Sequence, residues 1–248
     1  QDDLLYAPVK RLCDMKQLYL SNGKVVFWEL NSLLIQAFSK IIIGTYMFEH
    51  SFMAHYLDVH NLAYTVENFG KKPSFYKDFI NIKQGKVNSV GDKDYSLSYS
   101  DLCVKRHSGE HPKNILRKNL HSFMISNNTH AGQRIWTCFK KPSELIGGKN
   151  YSTDWIAYNT KATNKFRHVE NVAYMCNNFP NTFLVAMVTR RSGNGFNSDL
   201  WALSEMLQYI WRSRIRGGGD ERNINLYVPS KRMRTLLENW LNDEYEEV

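Results

Sequence analysis

Within the stretch EMLQYIWRSRIRGGGDE, residues 205–221, Gln208, Arg212 and Arg216 stand four residues apart. At helical pitch a spacing of four drifts only about 40° per step, so the three predict one polar line along a helix. A guanidinium offers a planar fork of donors matched to phosphate oxygens, and two of them beside an amide would clamp an anion. The plainer reading is a solvated face with cations near a helix C-terminus, where the dipole favours them. That covers Arg214 and Arg216 but not the line itself.

Two further stretches carry the same chemistry. YNTKATNKFRH, residues 158–168, interleaves small hydroxyl and amide side chains (Asn159, Thr160, Thr163, Asn164) with Lys161, Lys165 and Arg167. It follows an apolar run at its C-terminal end, where α/β proteins place ligands, and could hold phosphates through side chains and backbone N–H groups. In KRMRTLLENWL, Lys231, Arg232 and Arg234 crowd the first turns of a predicted helix, where the dipole disfavours cations. A bound phosphate would offset that cost; simple surface tolerance is the alternative.

The elements that must position these residues can be read from periodicity. Leu200, Leu203, Leu207, Ile210 and Trp211 predict a buried stripe on a helix over 199–216, capped by Asn197, Ser198 or Asp199 and ended by Gly217, Gly218 and Gly219. Met233, Leu236, Leu237, Trp240 and Leu241 predict the buried face of the last helix, with Ser230 as its cap. Strand-like runs at 24–30, 40–46, 134–139, 153–158, 181–188 and 224–230 alternate with helical patterns, one of them at 166–179. That rhythm predicts an open, mostly parallel α/β sheet with helices on both faces. Residues 68–133 are polar and weakly periodic apart from a helix entered through Pro112, which predicts a helical insertion. A domain boundary is expected near 66, dividing 1–66 from 67–248.

Composition narrows the function classes. The 248 residues carry a formal net charge of +8, which points to an anionic partner, nucleic acid foremost. The longest apolar run, IIIGTYMF, is far short of the roughly 20 residues of a spanning helix. The N-terminal stretch is no secretory signal, and the four scattered cysteines (13, 103, 138, 176) read as reduced thiols, so a cytoplasmic protein without a membrane anchor is expected. Cys103, His107, His111 and His121 have a loosely metal-like spacing, a weaker alternative.

Taken in order, TYMFEHSFMAHYLD (45–58), IWTCFKKP (135–142), the 157–180 stretch and the two arginine-bearing helices resemble the second RecA-like domain of a superfamily 2 helicase. The likeness is greatest to DEAD-like helicases carried by phages and mobile elements. It implies that Thr45 couples hydrolysis to nucleic acid and that residues 159–164 touch the nucleic-acid backbone. It also gives Gln208, Arg212 and Arg216 the sixth-motif role, with the arginines as fingers. The chain has no GxxxxGK[ST] and no Asp-Glu pair closing a strand. Under the resemblance, ATP and Mg²⁺ would therefore be held mainly by an upstream P-loop domain. Two functions stand open: the C-terminal half of an ATP-driven translocase acting on nucleic acid, DNA before RNA, or a non-catalytic basic α/β module that only binds it.

Overall fold

A computed structural model describes residues 2–21, 23, 25–128, 130–160, 163–217 and 223–245. The chain divides into two compact units, Gln1–Val66 with Pro180–Phe196, and Glu67–Phe179 with Asn197–Val248. Among the described residues no helix is long and apolar enough to cross a membrane.

The first unit contains α1 (Asp2–Asp14), an antiparallel hairpin of β1 (Leu18–Ser21) and β2 (Val25–Trp28), then α2 (Ser32–Gln36) and α3 (Phe52–Val59). Its small core forms where α3 meets a helix from later in the chain, α7 (Thr182–Ser192), burying Ala54, Leu57, Met187 and Val188. His55 Nδ1 lies 3.1 Å from Ser192 Oγ, and Phe52 stacks on Phe196. Glu29 is gripped by Arg191 and by His60, whose Nε2 is 2.6 Å away. Burial alone would raise the Glu29 carboxyl, but the Arg191 and His60 bonds outweigh it and hold it below the usual range.

The second unit is built on a four-stranded, wholly parallel sheet in the order β3-β6-β5-β4. Its strands are β3 (Ile80–Ile82), β4 (Arg134–Thr137), β5 (Asn171–Tyr174) and β6 (Ile224–Tyr227). Side chains level with one another in a parallel sheet share a face. Trp136, Ala173 and Tyr227 are in register, and their face meets α5 (Pro112–Ser126) through the Phe123–Tyr227 stack. It also meets α6 (Lys140–Tyr151), where the Trp136 indole donates to the Tyr151 carbonyl at 2.6 Å. The opposite face carries Tyr174 against Tyr209 of α8 (Ser198–Ile210), which packs on α9 (Lys231–Leu241). Helices thus cover both faces, as the alternation of elements predicts.

Residues 68–133, set apart by composition, supply the edge strand β3, the short α4 (Tyr99–Cys103) and α5, and so belong to the sheet's own architecture. Leu116, Leu120, Phe123 and Met124 are the apolar stripe that seats α5.

Four expected elements differ. The 166–179 stretch is not a helix; its centre is β5, buried on both sides along its length, and a strand buried on both faces has no polar alternation to betray it. The 181–188 run is not a strand but the start of α7. Asn181 caps it by accepting from Phe183 N and Leu184 N, and Gly193 closes it at φ 74°. Short apolar runs do not distinguish these two states without context. Residues 40–46 form no strand, and 153–158 form only a helical turn and a single bridge from Trp155 to Trp136.

Candidate functional site

The expected Gln–Arg–Arg line is broken by the end of α8. The helix stops at Ile210, where Ser213 Oγ donates to the Ile210 carbonyl at 2.7 Å and competes with continuation of the ladder. Residues 214–216 then form a separate turn of 3-10 helix, so Gln208, Arg212 and Arg216 do not share one helical face. Gln208 is half-buried on α8.

The two arginines have different fates. Arg212 is only 7% exposed. Its Nη1 donates to the Tyr158 carbonyl at 3.3 Å, and its guanidinium lies 5.4 Å from the Tyr209 ring centre. Burial pulls its pKa down, countered by Tyr209 and Glu205; an arginine remains protonated regardless. Arg216 is exposed, and its Nη1 donates to Asn164 Oδ1 at 3.0 Å. Between them Arg214 is held by the Asn223 carbonyl (2.6 Å) and Glu170 (2.9 Å).

Those contacts bring together two stretches about fifty residues apart, 158–164 and 212–216. Tyr158 packs edge-on to Phe139, just past the carboxyl end of β4. From there the chain must return to the amino end of β5, and among the described residues no helix lies between Tyr158 and β5. By His168, whose Nε2 is 2.7 Å from the Gly132 carbonyl, it has reached the amino end of β4. The basic half of the loop therefore stands at the amino edge of the sheet rather than in the carboxyl-end crevice expected for it.

Asn159, Asn164, Lys165 and Arg167 are exposed, whereas Thr160 and Thr163 are half-buried. Thr163 Oγ1 accepts from Lys165 N at 3.3 Å and shapes the turn. Lys161 lies outside the described residues, as do Gly218 and Gly219.

The α9 cations sit at the other, carboxyl, edge. Lys231 is exposed. Arg232 is occupied by its own chain: it donates to Asp199, to Asn177 Oδ1 and to the Asn178 carbonyl, and its guanidinium lies 4.2 Å from the Phe179 ring centre. Arg234 donates to the Val228 and Pro229 carbonyls. The cost of arginines in a first turn is thus offset by internal acceptors. Thr45, in the first unit, is exposed in an irregular segment and closes no strand.

Periodicity does not reveal an asparagine ladder at the amino edge. Asn81 donates to Asn225 (3.0 Å) and Asn225 to Asn171 (2.9 Å), beside a 390 Å³ cavity lined by Asp78, Asn81, Arg214, Asn223 and Asn225. The recurrence of Asn at the head of three strand runs is the signal that could have disclosed it. Among the described residues no group of three or more His, Cys, Asp and Glu is placed to hold a metal ion. His121 instead meets the Tyr151 hydroxyl, and the His107 ring packs tilted against His111. Burial pushes the Cys176 thiol up to about 12 and raises Cys138 too, which makes both poor nucleophiles.

Residues 74–241 match the model of the YonV C-terminal Rossmann-like domain. The SPbeta prophage-derived uncharacterized protein YonV of Bacillus subtilis (strain 168) is 32% identical over 256 residues, covering 96% of this chain and 61% of that relative. The chain thus spans about three fifths of the relative's length. No solved structure matches. Because the match runs from the turn before β3 to the end of α9, embracing the whole parallel sheet, the chain belongs to the YonV C-terminal Rossmann-like domain family.

Proposed function

We propose that this chain is a basic Rossmann-like module that holds the sugar–phosphate backbone of nucleic acid, DNA in preference to RNA, along the flank formed by residues 163–167 and Arg216. One observation carries the reading: the Arg216–Asn164 bond joins two distant stretches and sets exposed Lys165, Arg167 and Arg216 at one edge of the sheet. Exposed cations can displace counterions from phosphates, and the net charge of +8 favours the encounter. The test is binding to duplex and single-stranded DNA over a range of salt. Changing Lys165, Arg167 and Arg216 together to Ala should weaken binding at every sequence. It should also reduce the slope of log K against log salt by about 2.7 on duplex DNA, about 0.9 per lost contact. An unchanged slope rejects this flank.

A helicase-type motor half is the second reading. What favours it is that 158–164 and 212–216, assigned by the resemblance to two cooperating motifs, touch through Arg212 and Tyr158. Arg212 would have to abandon that bond and its burial to reach a γ-phosphate, so the binding module is the better supported of the two. The residues present do not fit ATP or Mg²⁺. The one Gly-Gly-Lys, at 147–149, lies within α6, where a Cβ on Gly147 would come within 2.6 Å of the Trp136 indole. That glycine admits a ring, not a phosphate. Under this reading the nucleotide belongs to an upstream P-loop domain, and Thr45 to the coupling between them. DNA-stimulated ATP turnover by the longer protein, lost in Arg212→Lys, would favour the motor; no turnover leaves the binding module.

A further inference from the structure

The first unit exposes apolar surface that its own residues leave uncovered. In the hairpin, Leu20 pairs with Val26 and the alternating pleat turns Val26 and Trp28 outward; all three are more than half exposed. Helix α2 buries none of its residues, and Leu33 and Leu34 stand open on it. Phe38 is 66% exposed and Ile42 79%. Together the large apolar side chains exposed between residues 20 and 43 present on the order of 10³ Å² within one short stretch of chain, comparable in amount to one partner's share of a standard interface. A two-stranded hairpin is marginal in water without cover on its apolar face.

The chemistry of the surface selects its occupant. Residues 18–46 include only three charged side chains, Lys24, Glu29 and Lys40, and Glu29 is paired with Arg191. A phosphate backbone would find almost no cations here, so the partner is an apolar protein surface. The matched family domain begins at residue 74 and is by description C-terminal, so residues 20–43 of the first unit come ahead of it in sequence, toward the remainder of a YonV-type protein. The relative has that remainder: 39% of its length lies outside the match, the complement of the 61% covered.

We infer that the apolar face of residues 20–43, centred on Trp28, Phe38 and Ile42, is the seat for the portion of a YonV-type protein that precedes this region. The first unit is then an adaptor between that portion and the Rossmann-like sheet, and its role is independent of whether the sheet binds nucleic acid.

The experiment uses full-length YonV with a photo-crosslinking residue introduced, one at a time, at the positions aligned with Trp28, Phe38 and Ile42. Heavy- and light-isotope protein are mixed so that crosslinks between copies are distinguished from those within one copy. The expected result is crosslinked peptides from the unmatched portion at two or more of the three positions, with a control at the position of exposed Lys165 giving none from it. Mixed-isotope crosslinks between copies of this same face would assign it to self-association and overturn the inference. So would the absence of crosslinks to the unmatched portion.

Discussion

Replacing Arg212 by alanine provides the most direct check on the site geometry. If Arg212 were a finger projecting into solvent, its loss would cost folding about 0.5 kcal/mol or less, the usual range for an exposed polar change. Its burial and its bond to the Tyr158 carbonyl say otherwise. Truncation leaves that carbonyl without its donor, about 1–3 kcal/mol for a buried acceptor and nearer the lower value here because Tyr158 is half-buried. The lost packing on the Tyr209 ring adds about 0.5–1 kcal/mol, and the vacated volume adds a cavity. A total of about 2–4 kcal/mol corresponds to a melting temperature lower by roughly 5–15 °C for a unit of this size. Arg212→Met, which restores volume and removes the need to bury a charge, should recover part of the loss. Arg216→Ala should stay within about 0.5 kcal/mol of the parent. Five of the six tryptophans (136, 155, 201, 211 and 240) lie in the second unit, so thermal melts followed by their fluorescence report on the correct part of the chain. If Arg212→Ala melts within about 1 °C of the parent, Arg212 is not the internal tie described above, and the finger regains its place.

Further outcomes follow from burial and charge. His55 is 4% exposed and its pKa is lowered from 6.5, chiefly by burial. A depressed folded pKa means that its share of stability is complete above pH 6.5 and is lost as pH falls below it toward the folded value. Urea unfolding of the first unit, followed by hydrogen exchange in α3 and α7, should show that loss, and His55→Gln should flatten it; an unchanged pH slope refutes the assignment. The Cys138 and Cys176 thiols should resist iodoacetamide in the native protein while exposed Cys13 reacts, as read by mass spectrometry; modification of Cys176 as fast as Cys13 would mean that β5 opens readily. Arg232→Ala should destabilise the second unit by about 2–4 kcal/mol, since it strips donors from Asp199, Asn177 and Asn178, whereas Lys231→Ala should leave the melt within about 0.5 kcal/mol.

Local chemistry was enough to specify several elements. Ser230 caps α9, accepting from Met233 N, and the stripe from Met233 to Leu241 is its buried face, because a cap and a 3.6-residue period are properties of neighbouring residues alone. Pro112 opens α5 for the same reason, and Asn197 opens α8. The alternation of apolar runs also sufficed for a parallel sheet covered on both faces. What neighbours could not decide was the state of an apolar run without polar punctuation. Asn171–Tyr174 is a strand because strands lie on both sides of it, and the run from Thr182 is a helix because α3 offers it a face. The end of α8 was equally hidden. The Gly217 stop signal is real as composition, yet the helix ends at Ile210, six residues short of 216, where the Ser213 hydroxyl and the Arg214–Glu170 pair turn the chain. Since direction after that turn sets what each arginine meets, only the tertiary structure could bury Arg212 against Tyr158 and leave Arg216 at the surface beside Asn164. Spacing along a helix predicts a shared face only as far as the helix continues.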